Sequence, residues 1–145
     1  MAPTDAKASC LYPNVARALR EARANGFDSA VILDHQDYVA EFATANLFMA
    51  KDGVVSTPAL NGSFLNGITR QRIIRLLADD GTEVTERSIA FAELMEADEV
   101  FATGNYSKVQ PALRIDDRDF QRGPVAIRAR ELYFDFAERE GARQR

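Results

Sequence analysis

Glu41-Phe42-Ala43-Thr44-Ala45-Asn46-Leu47-Phe48 leads through Val55-Ser56-Thr57 to Leu65-Asn66-Gly67-Ile68-Thr69-Arg70. Asn46 to Ala50 reads as a strand, and Asp52-Gly53 between Phe48-Met49-Ala50 and Val54-Val55 predicts a two-residue hairpin, because glycine tolerates the positive φ of a type I′ turn. Pro58 to Gly67 is a loop punctuated by Pro, Gly and Asn. From Thr69 the spacing of Ile73, Ile74 and Leu77, with Arg70, Arg72, Arg75 and Asp79 between them, predicts a helix that Gly81 stops. Strand, hairpin, loop and helix in so short a run point to a mixed α/β domain. They also place a carboxylate, Glu41, and a helix N-terminus on one scaffold.

The flanks extend the same pattern. Val15 to Asn25 reads as a helix with apolar Val15, Ala18, Leu19 and Ala22 and a stop at Gly26. Ala30-Val31-Ile32-Leu33 suits a buried strand, His35-Gln36-Asp37 a turn, and Tyr38 to Glu41 a further strand. Downstream, Glu83 to Ser88 is a weak strand, Ala90 to Glu96 a short helix, and Glu99 to Thr103 a buried strand ending at Gly104. Val109 to Ile115 is strand-like with an edge or bulge at Pro111, and Asp116-Asp117 is a turn. Gly123-Pro124 starts a helix reaching about Glu140, after which Gly141 to Arg145 should fray. With no internal repeat or linker, residues 1–145 are expected to form a single domain.

Composition removes whole classes of function. At 145 residues, 46% hydrophobic and with a formal charge of -4, the chain can build a core but carries no basic field for nucleic acid or anionic lipid. No apolar run approaches the roughly 18 residues that span a bilayer, and Cys10 is the only cysteine, which suits a reducing, cytoplasmic setting. With His35 the only histidine, neither a zinc cluster nor a Cys/His dyad is expected, and His35 itself reads as an exposed turn residue. The glycine-rich nucleotide-binding patterns are missing.

What remains is a set of anion- and cation-binding candidates, each with a bland alternative. Lys7 sits among the small residues of Asp5-Ala6-Lys7-Ala8-Ser9-Cys10, with room for a flat ring beside its amine, but the local pattern alone describes a solvated terminal lysine. Glu41 precedes an uncharged run, so it is either ion-paired within the fold or faces a ring nitrogen that it keeps protonated. Gly67-Ile68-Thr69 brings free N–H groups, a helix dipole and a hydroxyl to one point, suited either to a phosphate or to simple capping. Thr103-Gly104-Asn105-Tyr106-Ser107 offers a second anion-friendly turn at the end of a buried strand.

These residues together resemble the class IV, or fold type IV, pyridoxal-phosphate aminotransferases, and are most similar to branched-chain amino acid aminotransferases. The discontinuous motif comprises Glu41, Ala43, Asn46-Leu47-Phe48, Val55, Thr57, Leu65, Gly67-Ile68 and Arg70, with Ala6-Lys7-Ala8 and Tyr12 upstream and Gly104 to Pro111 downstream. The resemblance implies the α/β large domain of that family, with strands in a pseudo-barrel and helices packed outside. It implies pyridoxal 5'-phosphate as cofactor, Lys7 as the catalytic lysine that bonds to it, and Tyr12 as the hydroxyl facing its phenolic oxygen. Glu41 then takes the pyridine nitrogen, Ile68-Thr69 and Gly104-Asn105 the phosphate, and backbone groups near Asn105-Tyr106 the substrate carboxylate. The implied reaction is ping-pong transamination between a branched-chain L-amino acid and 2-oxoglutarate.

The sequence departs from the family at Asn105, where many relatives have threonine, and at Ala45, where many have a second glutamate. The family's N-terminal domain, which carries a phosphate-binding arginine and most of the substrate pocket, is expected to lie outside residues 1–145. The expectation is therefore a C-terminal cofactor-binding domain, weak or inactive alone, from an enzyme that is a homodimer with amino acid and 2-oxo acid substrates. D-amino acid or amine transaminases and aminodeoxychorismate lyase share the same lysine and turns. A non-catalytic α/β module, with Lys7 solvated and Glu41 ion-paired, is the reading from another class.

Overall fold

The computed structural model describes residues 12–145, so Lys7 and Cys10 lie outside the described residues. The helix α1 (Tyr12–Ala24) opens the described chain, and its apolar positions Val15, Ala18, Leu19 and Ala22 are the half-buried ones. A short antiparallel pair, β1 (Val31–Leu33) and β2 (Val39–Phe42), follows around the turn that exposes His35. The main sheet is five-stranded, built from β3 (Asn46–Lys51), β4 (Val54–Pro58), β5 (Val84–Arg87), β6 (Glu99–Gly104) and β7 (Lys108–Pro111) in the order β5-β4-β3-β6-β7.

Local chemistry explains each join. Asp52 at φ 50° and Gly53 at φ 80° close the β3–β4 hairpin in the left-handed pair of conformations that its sequence predicts. The parallel pairing of β4 with β5 requires a crossover, supplied by α2 (Ile68–Asp79), while β3–β6 and β6–β7 are antiparallel. A four-residue helix, α3 (Phe91–Leu94), precedes β6. The expected strand from Val109 to Ile115 breaks after Pro111, and a separate hairpin forms from β8 (Arg114–Ile115) and β9 (Arg118–Asp119). The final helix, α4 (Pro124–Arg143), runs past Glu140 through the stretch expected to fray, with Arg143 paired to Glu140 at 3.1 Å in its last turn.

The central strand β3 is buried on both faces, so its residues form a continuous apolar run rather than an alternation. Phe48, Val55, Ile73, Leu77, Phe101 and Ala129 fill the layer between the sheet and helices α2 and α4. Phe48 stacks on its register partner Phe101 with centroids 5.1 Å apart. Leu47, Met49, Val100, Leu94, Ile115 and Phe120 fill the opposite layer, closed by β2, α3 and the β8–β9 hairpin. Arg118 clips this second layer, donating to the carbonyls of Met95 and, at 2.7 Å, Ala97.

Strand direction then fixes where a ligand can sit. The start of β3 and the ends of β2, β4 and β6 all lie at one end of the molecule, because β3 runs opposite to β4 and β6 and follows β2 through a tight turn in which Phe42 N–H donates to Ala45. The helix α2 begins at that same end, after the C-terminal end of β4, which is the general location of ligand sites in βαβ units.

Candidate active site

Asn46, the first residue of β3, organises this end. Its backbone pairs with Thr103 at the end of β6, while its side chain reaches the loop before α2, with Nδ2 donating to Leu65 at 2.8 Å and Oδ1 accepting Gly67 N–H at 3.2 Å. One buried amide thus ties together the two turns singled out in the sequence, and nothing in periodicity marks it. The available signal was a polar residue at the head of an otherwise apolar strand.

The first turn keeps its donors free. Gly67 caps α2 through its backbone alone, no side chain caps the helix, and the hydroxyl of Thr69 has no partner among the described residues. Capping therefore does not account for Thr69. The N–H groups of Ile68, Thr69 and Arg70 lie in the first helical turn, where an α-helix supplies no acceptor, and the helix dipole adds positive potential there. Ile68 is 79% exposed, so the mouth of this turn is open.

The loop behind it is held by Arg70, which is 2% exposed. Its guanidinium donates to Asn66 Oδ1 at 3.0 Å, Pro58 carbonyl at 3.0 Å and Glu86 Oε1 at 2.7 Å. The sequence places Arg70 among the polar positions of an amphipathic helix; the structure buries it as the anchor of the 58–67 loop.

The second turn joins β6 to β7 through Asn105, Tyr106 and Ser107, whose backbone N–H groups have no acceptor among the described residues. Tyr106 is 99% exposed and packs on nothing. A Cβ placed on Gly104 would meet Ala45 at 3.5 Å, an ordinary contact, so the structure does not demand glycine there for space. Thr103, 1% exposed and on the same sheet face as Asn46, has a buried hydroxyl without a partner among the described residues.

Glu41 completes the set. On β2, opposite Ile32 of β1, its half-buried carboxylate makes no ion pair or hydrogen bond among the described residues, and burial alone pushes its pKa up to about 7. The ion-paired alternative for this residue therefore finds no partner in the described structure. Tyr12 opens α1 by its backbone, and Lys7 lies outside the described residues. The described part of the site thus presents a carboxylate needing a cation and two donor-rich turns needing an anion. No group of His, Cys, Asp and Glu able to hold a metal ion is found among the described residues, and none of their helices is long and apolar enough to cross a membrane.

Comparison with known proteins gives this arrangement a family. The chain is 42% identical over 135 residues to the branched-chain-amino-acid aminotransferase of Pseudomonas aeruginosa, covering 91% of this chain and 44% of that protein. The structure matches an aminotransferase from Brucella abortus bound to the co-factor PLP, with a TM-score of 0.90 and 53% identity over 92% of this chain and 48% of that one. It also matches the branched-chain amino acid aminotransferase of Escherichia coli, with a TM-score of 0.87 and 38% identity over 91% of this chain and 46% of that one. The chain spans less than half the length of these proteins. The model of the amino-transferase class IV family matches residues 2–115, and the chain belongs to that family.

Proposed function

We propose that this chain is the pyridoxal-phosphate-binding domain of a branched-chain amino acid aminotransferase, which moves an amino group between a branched-chain L-amino acid and 2-oxoglutarate. The observation that supports the reading is an unpartnered Glu41 carboxylate on β2, the strand that turns directly into β3, together with two free-donor turns joined by Asn46 at the start of β3. Pyridoxal phosphate has a basic ring nitrogen for the first and a phosphate for the second, so the residues present fit it. When bound, the cofactor supplies an electron sink that stabilises negative charge at the substrate's α-carbon.

The chain's own residues supply the rest. Glu41 in its ionised form accepts a hydrogen bond from a protonated ring nitrogen and keeps the proton there, which the cation's proximity favours. The N–H groups of Ile68 and Thr69, the Thr69 hydroxyl and the Gly104-Asn105 turn bind phosphate, each donor worth more toward an anion than toward a neutral group. Backbone N–H groups at Asn105 and Tyr106 orient the substrate carboxylate. Lys7 attaches the cofactor and moves a proton at its Nζ as base and then acid, and Tyr12 donates its hydroxyl to the cofactor's phenolic oxygen; both roles rest on the family motif. Ile68 and Tyr106, exposed at the rim, suit a site finished by further surface, as in the homodimeric enzyme expected from the resemblance; a cytoplasmic setting rests on Cys10 being the only cysteine.

The test is incubation with pyridoxal phosphate, reduction with borohydride and peptide mass mapping. The expected adduct is on Lys7; its absence, or modification spread over other lysines, overturns the reading. Assay of a longer protein carrying this domain with leucine, D-alanine and aminodeoxychorismate then separates the branched-chain assignment from the other activities of the fold.

A further inference from the structure

Lys108 ends the β6–β7 turn, and none of the roles above uses it. Its Nζ donates to Asn105 Oδ1 at 3.2 Å and lies 5.6 Å from the centre of the Tyr133 ring on α4. No carboxylate pairs with it among the described residues. Its φ of 62° lies in a region that non-glycine residues seldom adopt, and it sits inside a tight turn in which Val109 N–H donates to the Ser107 carbonyl at 2.8 Å. A strained lysine is thus held where its ammonium spans Asn105 and an aromatic face.

The chemistry of the contact has a direction. An ammonium has donors and no acceptor, so its bond to Asn105 must use the amide oxygen. With Oδ1 taken, Nδ2 and its two hydrogens turn the other way, and Nδ2 has no acceptor among the described residues. The turn then carries a side-chain donor beside the free N–H groups of Asn105, Tyr106 and Ser107. Were the amide reversed, its oxygen would face an anion and repel it.

We propose that Lys108 is a positioning residue that fixes the Asn105 amide so that its NH2 group donates to an anion of the phosphate monoester class held on the turn. The inference rests on the reading of Gly104-Asn105 as a phosphate-binding turn. It differs from a simple charge effect, because it acts only while residue 105 has an amide to orient.

The experiment compares dissociation constants for pyridoxal phosphate and for pyridoxal, which lacks the phosphate, in this chain and its variants. Lys108→Met and Lys108→Gly are expected to lower the preference for the phosphate form roughly tenfold, the size of one hydrogen bond to a charged group, with affinity for pyridoxal unchanged. Glycine relieves the strained backbone, so loss of preference in a variant at least as heat-stable as the parent separates positioning from damage to the fold. In an Asn105→Thr background the hydroxyl turns freely, and Lys108→Met is expected to have no further effect. An equal loss in that background overturns positioning in favour of charge alone. If Asn105→Ala lowers the preference and neither Lys108 variant does, the inference fails while the phosphate turn stands. If the parent shows no preference, or Asn105→Ala leaves it intact, the phosphate-turn reading fails and this inference fails with it.

Discussion

Asn46 and Gly67 are fitted to one another: Asn46 Oδ1 accepts the Gly67 N–H at 3.2 Å, and a Cβ on Gly67 would lie 2.4 Å from that same oxygen. Gly67 has φ -59° and ψ 144°, which any residue adopts, so glycine is needed here for space and not for backbone freedom. Gly67→Ala should therefore expel the Asn46 side chain from its 6%-exposed seat, breaking its bonds to the Leu65 carbonyl and the Gly67 N–H and leaving those two groups only their 3.1 Å bond to each other. The expected loss is about 1–3 kcal/mol by urea unfolding. In an Asn46→Ala background the clash is gone, and the same substitution should cost only a few tenths of a kcal/mol. Additive costs would show that the two residues do not constrain each other.

Glu41 predicts a pH dependence. Its folded pKa of about 7 lies above the ordinary value near 4.5, so the folded state binds this proton more tightly than the unfolded chain. The stabilisation is fully present below pH ~4.5 and is lost as the pH rises through ~7, with a ceiling of ~3 kcal/mol. Glu41→Gln removes the titration. Its stability relative to the parent should improve across that window, measured by urea unfolding at a series of pH values. Parallel profiles would mean that the carboxylate has a partner. If the ring nitrogen of pyridoxal phosphate is that partner, as proposed, the parent's disadvantage at high pH should shrink when the cofactor is added.

The parts of this molecule that the sequence discloses are those decided within a few residues. Asp52-Gly53 states its own turn, and the spacing of Ile73, Ile74 and Leu77 states the inner face of α2, because turn conformation and helical periodicity are local properties. The turns at Thr69 and Gly104-Asn105 are local in the same way, and both leave donors without acceptors among the described residues. What the sequence conceals depends on partners far along the chain. Arg70 reads as one of the charged positions between the apolar residues of a helix until Glu86 and the Pro58 carbonyl meet it, and Asn46 reads as one polar residue in a strand until Leu65 and Gly67 arrive. The run from Val109 to Ile115 keeps an extended pattern, but after Pro111 it leaves β7, and Arg114 and Ile115 pair instead with β9.

Arg70 should resist its nearest substitute. A lysine ammonium is a point donor on a flexible stem and cannot reach Asn66, Pro58 and Glu86 in one plane as the guanidinium does. Glu86 keeps 45% of its side chain in water, so losing Arg70 does not strand a buried charge, and the main cost is the unpaired Pro58 carbonyl and the loosened loop. Arg70→Lys is expected to lose about 2 kcal/mol. It should also speed amide exchange at Gly67, whose N–H Asn46 holds, more than at Val100 in the sheet centre. Uniform exchange changes at both sites would show that Arg70 supports the whole fold and not this loop in particular.

Glu99 and Gly123 give the last prediction. Glu99 is 3% exposed, and its carboxylate accepts the N–H groups of Val125 at 3.1 Å and Ala126 at 2.8 Å, so a buried negative charge sits on the N-terminus of α4 and is stabilised by the helix dipole. A Cβ on Gly123 would lie 1.9 Å from Glu99 Oε2, although the backbone there, at φ -95° and ψ 166°, suits any residue. Gly123→Ala must displace the carboxylate from both donors while leaving it buried, an expected loss of about 3–5 kcal/mol by urea unfolding. Glu99→Gln keeps one acceptor oxygen and places an amide NH2 against a backbone N–H, for an expected loss of about 1–3 kcal/mol. If the cost arises at this contact, Gly123→Ala should be less damaging in a Glu99→Ala background, where the added methyl has space. A Gly123→Ala penalty unchanged in that background would place its origin elsewhere in the turn before α4.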